Sequence, residues 1–335
     1  DIAVAGMEVR GIVTNTPAVD AFRGAGRPEA NYLLERLIDH IAHVMGMDRV
    51  GVRQVNLIKP EQIPYQMVEG GTVDSGDMPG LLAEAMEKAD WLGFDARRKV
   101  SAEQGKLRGI GLSMYLEQCG GGGGASVDIE FHKDGTATVY APQQDNGQAH
   151  RTTLTQIFSG KLGYDAELIN IVQGDSLRTP PGTTGGARMS AVLGSTLMQA
   201  AGMIAEQALP FAAEHLQAEI NDIQFAEGIF TAAGTNQSVT IEDLVRLIAT
   251  NDSAQHPLNR VHDYTTDGAT YPYGCHIVEI EVDQQTYRPE IVSYTVVDDF
   301  GEIINPLTLE GQIHGGIAQG IGQALYEHVA YDEDG

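Results

Sequence analysis

The sequence predicts an α+β fold, and three observations carry that expectation. Val127, Ile129 and Phe131 alternate with polar residues, Lys133-Asp134-Gly135 turns the chain, and Thr136 to Tyr140 returns, which reads as a hairpin. His276 to Val282 and Glu290 to Val297 repeat the arrangement. Both hairpins lead into segments of helical period, with no regular succession of single strand-helix units that would indicate a doubly wound sheet. Two hairpin-then-helix modules point to an internal duplication, and no short-period repeat indicates a solenoid.

In chain order, the sequence opens on a strand-like Ile2-Ala3-Val4-Ala5 without an initiator methionine, as a piece of a longer polypeptide would. The stretch Ala21-Phe22-Arg23-Gly24-Ala25-Gly26-Arg27-Pro28-Glu29-Ala30 then combines a tight glycine turn, two arginines and a helix start. Pro28 is tolerated in a first helical turn, and Glu29 suits the positive end of the helix dipole. Leu33, Leu34, Leu37, Ile38 and Ile41 continue at helical spacing, so an amphipathic helix is expected. The turn is either an anion site or a plain glycine-rich junction.

A short element follows from Asp48 to Ile58, turn formers fill Pro64 to Pro79, and a helical region runs from Leu81 to Arg98. Gly120 to Gly124 is an uninterrupted glycine run, a linker or a loop near a ligand, and it divides the chain into parts 1–124 and 125–335. After the first hairpin, Gln143 to Gln148 lead into a helix from Arg151 to Lys161, and a strand spans Leu168 to Val172. Past the loop Thr179 to Gly186, a long helix from Ala191 to Ile220 contains Pro210, which should kink or split it. Ile241 to Ala249 is a short helix, and the second hairpin leads to a last helix from Ile313 to His328. Asp332 to Gly335 ends the sequence in a turn, and exposed strand edges at both termini would favour aggregation of the isolated piece.

Length and composition bound the function. With 335 residues and 42% hydrophobic content the chain can bury a substantial core. Forty-six acidic residues against 21 basic ones give a net charge of -25, which argues against a nucleic-acid partner, because phosphate binding needs a basic footprint. Two cysteines, Cys119 and Cys275, supply neither a disulfide framework nor an iron–sulfur ligand set, and they read as buried, unreactive thiols. A reducing, cytoplasmic compartment fits, and no apolar run reaches the length of a membrane span. His40 and His43 lack a third ligand, His314 lacks an evident partner, and no Gly-x-Ser-x-Gly elbow suggests a hydrolase.

Chemistry concentrates in three glycine-bearing loops. They are the turn around Arg23, the stretch Gly147-Gln148-Ala149-His150, and the run from Pro181 through Gly185, Gly186, Ala187 and Arg188 to Ser190. The second and third precede helices, whose free N–H groups and dipole favour an anion, and each taken singly is also a plain structural cap. Together they suit a long, polar, phosphorylated molecule with the shape of a pterin dinucleotide. The residues of a phosphate loop or a dinucleotide fingerprint are absent, which weakens a nucleotide-dependent transferase with Asp175 as metal-binding acid.

The chain resembles the molybdenum hydroxylase large subunits, the family of xanthine dehydrogenase, aldehyde oxidoreductase and aerobic carbon monoxide dehydrogenase, with most likeness to the last branch. Ordered along the whole chain, the residues that carry the resemblance are the Arg23 loop, Asn56-Leu57-Ile58, Asp74-Ser75-Gly76-Asp77, Gly147-Gln148-Ala149-His150, Val172-Gln173-Gly174-Asp175, and Asn305-Pro306 through Gly311-Gln312 to Gln319-Gly320. The resemblance implies that Phe22, Arg23, Gly24 and Ala25 form the loop beside molybdenum. It implies that Gly147 and Gln148 contact the pterin, that Ala187, Arg188 and Ser190 hold its phosphate side, and that Gln312 and Gln319 approach from the last helix. It further implies a molybdopterin cofactor in cytosine dinucleotide form, an FAD-binding medium subunit, a small subunit carrying 2Fe–2S clusters, a dimer of such heterotrimers, and C–H oxidation with water-derived oxygen.

Departures narrow the chemistry. Carbon monoxide dehydrogenases proper carry a copper-binding cysteine where this chain has Gly24, and purine oxidisers carry an aromatic residue where it has Ala25. Without a soft thiolate the copper route has no ligand, so an aldehyde or an N-heterocycle is the expected substrate. The family's catalytic glutamate in a Gly-x-Gly-Glu segment and its oxo-facing glycine loop are absent from this sequence, and Glu302, Glu310 and Glu327 lack the context to replace that base. The piece is therefore expected to be inactive in isolation, and a cofactor-less scaffold or assembly relative is the alternative.

Overall fold

A computed structural model describes residues 6–335 apart from Val19, Glu69, Gly122, Pro180 and Asn251, so the strand read at Ile2–Ala5 lies outside the described residues. In chain order the elements are α1 (Arg27–Met45), α2 (Arg49–Asn56), β1 (Tyr65–Gln66), β2 (Thr72–Val73), α3 (Met78–Lys88), α4 (Phe94–Glu103), β3 (Lys106–Leu116), β4 (Gly124–Phe131), β5 (Ala137–Ala141), α5 (His150–Leu162), β6 (Ile169–Gln173), α6 (Ser195–Leu216), β7 (Ile223–Ala226), β8 (Ile229–Ala232), β9 (Ser238–Thr240), α7 (Ile241–Ile248), β10 (Arg260–Thr265), β11 (Tyr273–Asp283), β12 (Pro289–Asp299) and α8 (Pro306–Leu325). The fold is α+β, and both expected hairpins form as β4–β5 and β11–β12. Side-chain caps start several helices, with Asp48 accepting from Gly51 N–H, Asp77 from Gly80 N–H and Thr240 from Asp243 N–H.

The chain forms two compact units. The first comprises residues 1–118, 270–302 and 319–335, and the second residues 119–269 and 303–318. In the first, the antiparallel sheet β12–β11–β3 packs against α3, with Leu81, Leu82 and Ala85 set on Leu112, Met114, Cys275 and Ile277. β11 also carries two buried glutamates. Glu279 accepts from Arg97 and Arg108, and Glu281 from Lys106, Ser101 and Arg108, so every buried carboxylate oxygen meets a donor.

In the second unit, the sheet β10–β4–β5–β6 packs against α5 and α6, and the smaller sheet β7–β8–β9 closes the far side of the same core. Ala200, Ala201, Ile204, Ala208 and Ala212 are wholly buried, and the small side chains of the four alanines let α6 lie close to its neighbours.

Several elements differ from the sequence reading. The helix through Leu33 and Leu37 forms, yet its apolar residues face outward, with Leu33, Leu34 and Leu37 all exposed. Its inward face is polar instead. Arg53 of α2, only 2% exposed, donates to Glu35 and Asp39, Glu35 accepts Met114 N–H, and Asn31 donates to Ser113. The region Leu81–Arg98 is two helices, because Asp90 takes a left-handed conformation (φ 46°) between α3 and α4. The helix expected over Ala191–Ile220 stops at Gln217 (φ 52°), starts with a π-helical turn at Met189–Gly194, and runs through Pro210 unsplit, held by the buried alanines on either side. The last helix begins earlier, where Asn305 accepts Thr308 N–H and Pro306 takes the first turn, and it ends at Leu325. β1–β3, β7–β9 and β10 had no counterpart in the reading, and Cys119 is half-buried, not buried, because it lies on the connection into the glycine run.

The two units should respond to acid in sequence. Burial lowers the pKa of His256 in the second unit, whose Nδ1 accepts Leu258 N–H, and burial likewise lowers that of His150. A depressed histidine contributes stability above its unfolded value of about 6.5 and loses it as pH falls below. Glu279 and Glu281 in the first unit are held below the usual carboxylate value: burial opposes ionisation of Glu279, but its two arginines outweigh that effect, and the Lys106 hydrogen bond leads for Glu281. Their contribution persists above about pH 4.3 and is lost as pH falls through their lowered values. Urea melts at a series of pH values should therefore show the midpoint read by helical circular dichroism starting to fall below about pH 6.5, while the midpoint read by the fluorescence of Trp91, the single tryptophan and a first-unit residue, holds until about pH 4.

Candidate functional site

Strand direction explains where the second-unit loops meet. β5 and β6 are parallel, pairing Ala137 with Ile169 and Ala141 with Gln173, so both strands end at the same edge of the sheet. β4 runs antiparallel to β5 and therefore starts at that edge, and β10 ends there, with Thr265 opposite Gly124. Four segments are thus brought together by register alone: the glycine run, the loop after β5, the loop after β6, and Asp263–Thr265. They line a cleft of about 530 Å³ that includes Ser126, Gln143, Thr183 and Arg188.

Close backbone contacts fix the loops against each other. A Cβ on residue 182 would lie 2.6 Å from Pro142 Cβ and 2.8 Å from its carbonyl carbon, so only glycine fits there. Gly120 N–H donates to Gly186 O at 3.1 Å, and Thr184 Oγ1 donates to Gln144 O at 2.6 Å. The Arg188 guanidinium fills the space that a side chain at Gly123 would need.

Two buried side-chain oxygens in this region are unmet. Gln173 Nε2 donates to Gln143 O at 2.6 Å and lies 3.3 Å from His150 Nδ1, yet the Oε1 atoms of Gln143 and Gln173 accept no hydrogen bond. An unmet buried acceptor costs about 1–3 kcal/mol, which a ligand N–H would recover. Burial keeps His150 neutral, consistent with Nδ1 accepting from Gln173.

The backbone is strained within the glycine-bearing loops of both units. Among the described residues, the alanines with positive φ are Ala25 (52°), Ala149 (62°) and Ala187 (51°), one in each glycine-bearing loop, just before a helical segment. Alanine in the left-handed region costs on the order of 1 kcal/mol, and such strain gathers at functional sites.

The sequence-selected residues fall into two groups. In the second unit, Gly147 and Gln148 lie on the loop after β5, where Gly147 N–H donates to Asp145 and Gln148 Oε1 accepts Asn146 N–H. Ala187, Arg188 and Ser190 lie on the loop after β6, and Gln312 is exposed on the second-unit part of α8. In the first unit, Phe22, Arg23 and Ala25 are exposed, and Gln319 Nε2 donates to Arg23 O at 3.4 Å. Ala25 N–H donates to Phe22 O and Arg27 N–H to Gly24 O, so the turn is wound by its own backbone, and Arg27 forms an ion pair with Glu117.

Gln143, Asp263 and Thr265 were not singled out by sequence, and Gln173 was named only within the Val172–Asp175 motif with no role of its own, because a glutamine or a strand-end threonine carries no signal until the register is known. His40 and His43 are exposed on α1, and burial pushes the Cys275 thiol up to about 12. No cluster of metal-ligating side chains occurs among the described residues, and no described helix is long and apolar enough to cross a membrane.

Comparison with known proteins places these loops in context. Residues 84–335 match a family described as a molybdopterin cofactor-binding domain, and residues 1–57 match a second family of the same description. The carbon monoxide dehydrogenase large chain of Hydrogenophaga pseudoflava is 32% identical over 100% of this chain and 44% of its own length. The 6-hydroxypseudooxynicotine dehydrogenase complex subunit gamma of Paenarthrobacter nicotinovorans is 31% identical over 97% of this chain and 42% of its own length. The structure of quinoline 2-oxidoreductase from Pseudomonas putida 86 superposes with a TM-score of 0.83 at 28% identity, covering 93% of this chain and 42% of that one. The chain thus spans less than half the length of the curated relatives it matches.

The convergence of loops depends on the 182–142 contact. Replacing Gly182→Ala should lower the stability of the second unit by about 2 kcal/mol, because the added methyl meets fixed backbone. Urea denaturation checks this, with a lower midpoint at unchanged slope expected.

Proposed function

Since this chain belongs to the molybdopterin cofactor-binding domain family, we propose that it is the cofactor-holding portion of a molybdenum hydroxylase large subunit, whose parent enzyme oxidises a C–H bond with water-derived oxygen. The observation that carries the reading is the sheet-end cleft lined by Arg188 and by Gln143, whose buried amide oxygen lacks a donor, with Gln173, likewise unmet, bonded to the Gln143 carbonyl and a left-handed alanine in each of the two loops. That donor-and-acceptor set fits a pterin dinucleotide. Its amino and ring N–H groups suit the open oxygens of Gln143 and Gln173, and its phosphates suit a guanidinium and helix-start N–H groups.

In this reading, Gly147 and Gln148 hold the pterin, while Ala187, Arg188 and Ser190 hold its phosphate side. Phe22, Arg23, Gly24 and Ala25 present backbone groups toward the metal, with Gln319 fixing the Arg23 carbonyl and Gln312 contributing from α8. When bound, the molybdenum centre supplies oxygen transfer and accepts the substrate's two electrons. This chain's part is to bind and orient that group and to shape the substrate pocket, and no residue here is assigned as general base. Parts 1–124 and 125–335 are successive portions of the pterin-binding region.

The wider assembly follows from the same reading. The cofactor is a cytosine dinucleotide form, electrons leave through a 2Fe–2S subunit to an FAD-binding subunit, and the complex is a cytoplasmic dimer of heterotrimers. Gly24 in place of a soft ligand disfavours carbon monoxide. An aldehyde or N-heterocycle is the substrate class, and relatives named for 6-hydroxypseudooxynicotine and quinoline support the heterocycle.

The test is the molybdenum and acid-released nucleotide content of the full-length protein purified with its partner subunits. About one molybdenum per chain with released CMP is expected, and absence of both would leave a non-catalytic scaffold. Arg188→Ala should lower nucleotide occupancy roughly tenfold under limiting cofactor, the value of one charge-assisted hydrogen bond.

A further inference from the structure

The glycine after Arg23 is more than the lack of a ligand. Gly24 has φ +98°, and a Cβ built there would lie 2.5 Å from both Cδ and Cγ of Pro28, a ring that cannot rotate away. Ala25 (φ 52°) and Gly26 (φ 89°) continue the left-handed path, so three successive residues curl the loop back over the first turn of α1. Arg27 N–H donates to Gly24 O at 3.1 Å and Ala30 N–H to Gly26 O at 3.1 Å, which ties the curl to the helix. The ring of Pro28 therefore occupies the volume into which any residue at position 24 would project its side chain.

We propose that Gly24 and Pro28 form a steric interlock that closes position 24 to every side chain and thereby determines specificity at this loop, with Pro28 acting as a positioning residue. Location beside the metal rests on the functional reading above; the interlock itself rests only on the geometry of the first unit. A thiolate cannot be installed after Arg23 by a single substitution without meeting that ring, so a second soft metal is excluded here by shape as well as by composition, and Pro28 fills the volume that such a ligand would take.

A double-mutant cycle on the full-length protein purified with its partner subunits tests this, using Gly24→Ala, Gly24→Cys, Pro28→Ala and the two double variants. Thermal midpoint and molybdenum content are measured on each. Either substitution at Gly24 should lower the midpoint in the Pro28 background, and Pro28→Ala should recover about half of that loss or more, the remainder reflecting positive φ alone. Gly24→Ala should behave like Gly24→Cys, because the first side-chain atom makes the clash. If Gly24→Cys yields no folded complex, its recovery in the Pro28→Ala background supports the interlock, and failure of both overturns it. Additive effects of the two positions overturn it as well. Molybdenum content keeps the two readings apart: a coupled cycle in a protein that holds no molybdenum sustains the interlock and refutes its placement beside the metal.

Discussion

The contact of Gly182 with the backbone of Pro142 is the constraint on which the second-unit site depends. It fixes the loop after β6 against the loop after β5 where the parallel pairing of those strands has already brought them to one sheet edge. With the loops so held, Gln143 is buried with an open oxygen, Arg188 lies against the glycine run, and Ala149 and Ala187 stay in the left-handed region. Strain and unmet acceptors of this kind persist only when the surrounding packing overdetermines them. The wholly buried core under α5 and α6 supplies that packing.

The first unit is held by different physics. α1 turns its leucines outward and is fixed through Arg53 to Glu35 and Asp39, and β11 is fixed through Glu279 and Glu281 to three cations. Removing one partner of such a pair leaves an uncompensated buried charge, which costs about 3–5 kcal/mol. The Arg53 pairs hold the middle turns of α1, while Arg27 to Glu117 and Asn31 to Ser113 hold the turns next to the glycine turn and Arg23. Charge pairing thus places α1 and the end of β11 around an apolar core that α3 covers.

Much of this was legible in the sequence because it depends on local chemistry. The two hairpins follow from alternation around Lys133-Asp134-Gly135 and before Glu290, and α1 and α7 follow from their apolar spacing. β3 escaped because Gly109 and Gly111 interrupt its alternation, and β7 to β9 because strands of three or four residues fall below any periodic window. The orientation of α1 escaped for another reason: helical spacing shows that a face is apolar, not that it is covered. At the site, the glycine loops announced themselves by composition, and all three carry a left-handed alanine. Gln143 and Gln173 could not be found that way, since their role depends on a parallel register between strands that are remote in sequence.

The central claim is that a ligand completes the cleft at the edge of the second-unit sheet. Hydrogen exchange on the full-length protein, compared with and without its molybdenum cofactor, tests that claim directly. Slower exchange confined to residues 142–150 and 181–190, with the core of α6 unchanged, is the predicted result. Equal exchange in those loops with and without bound cofactor would contradict the account.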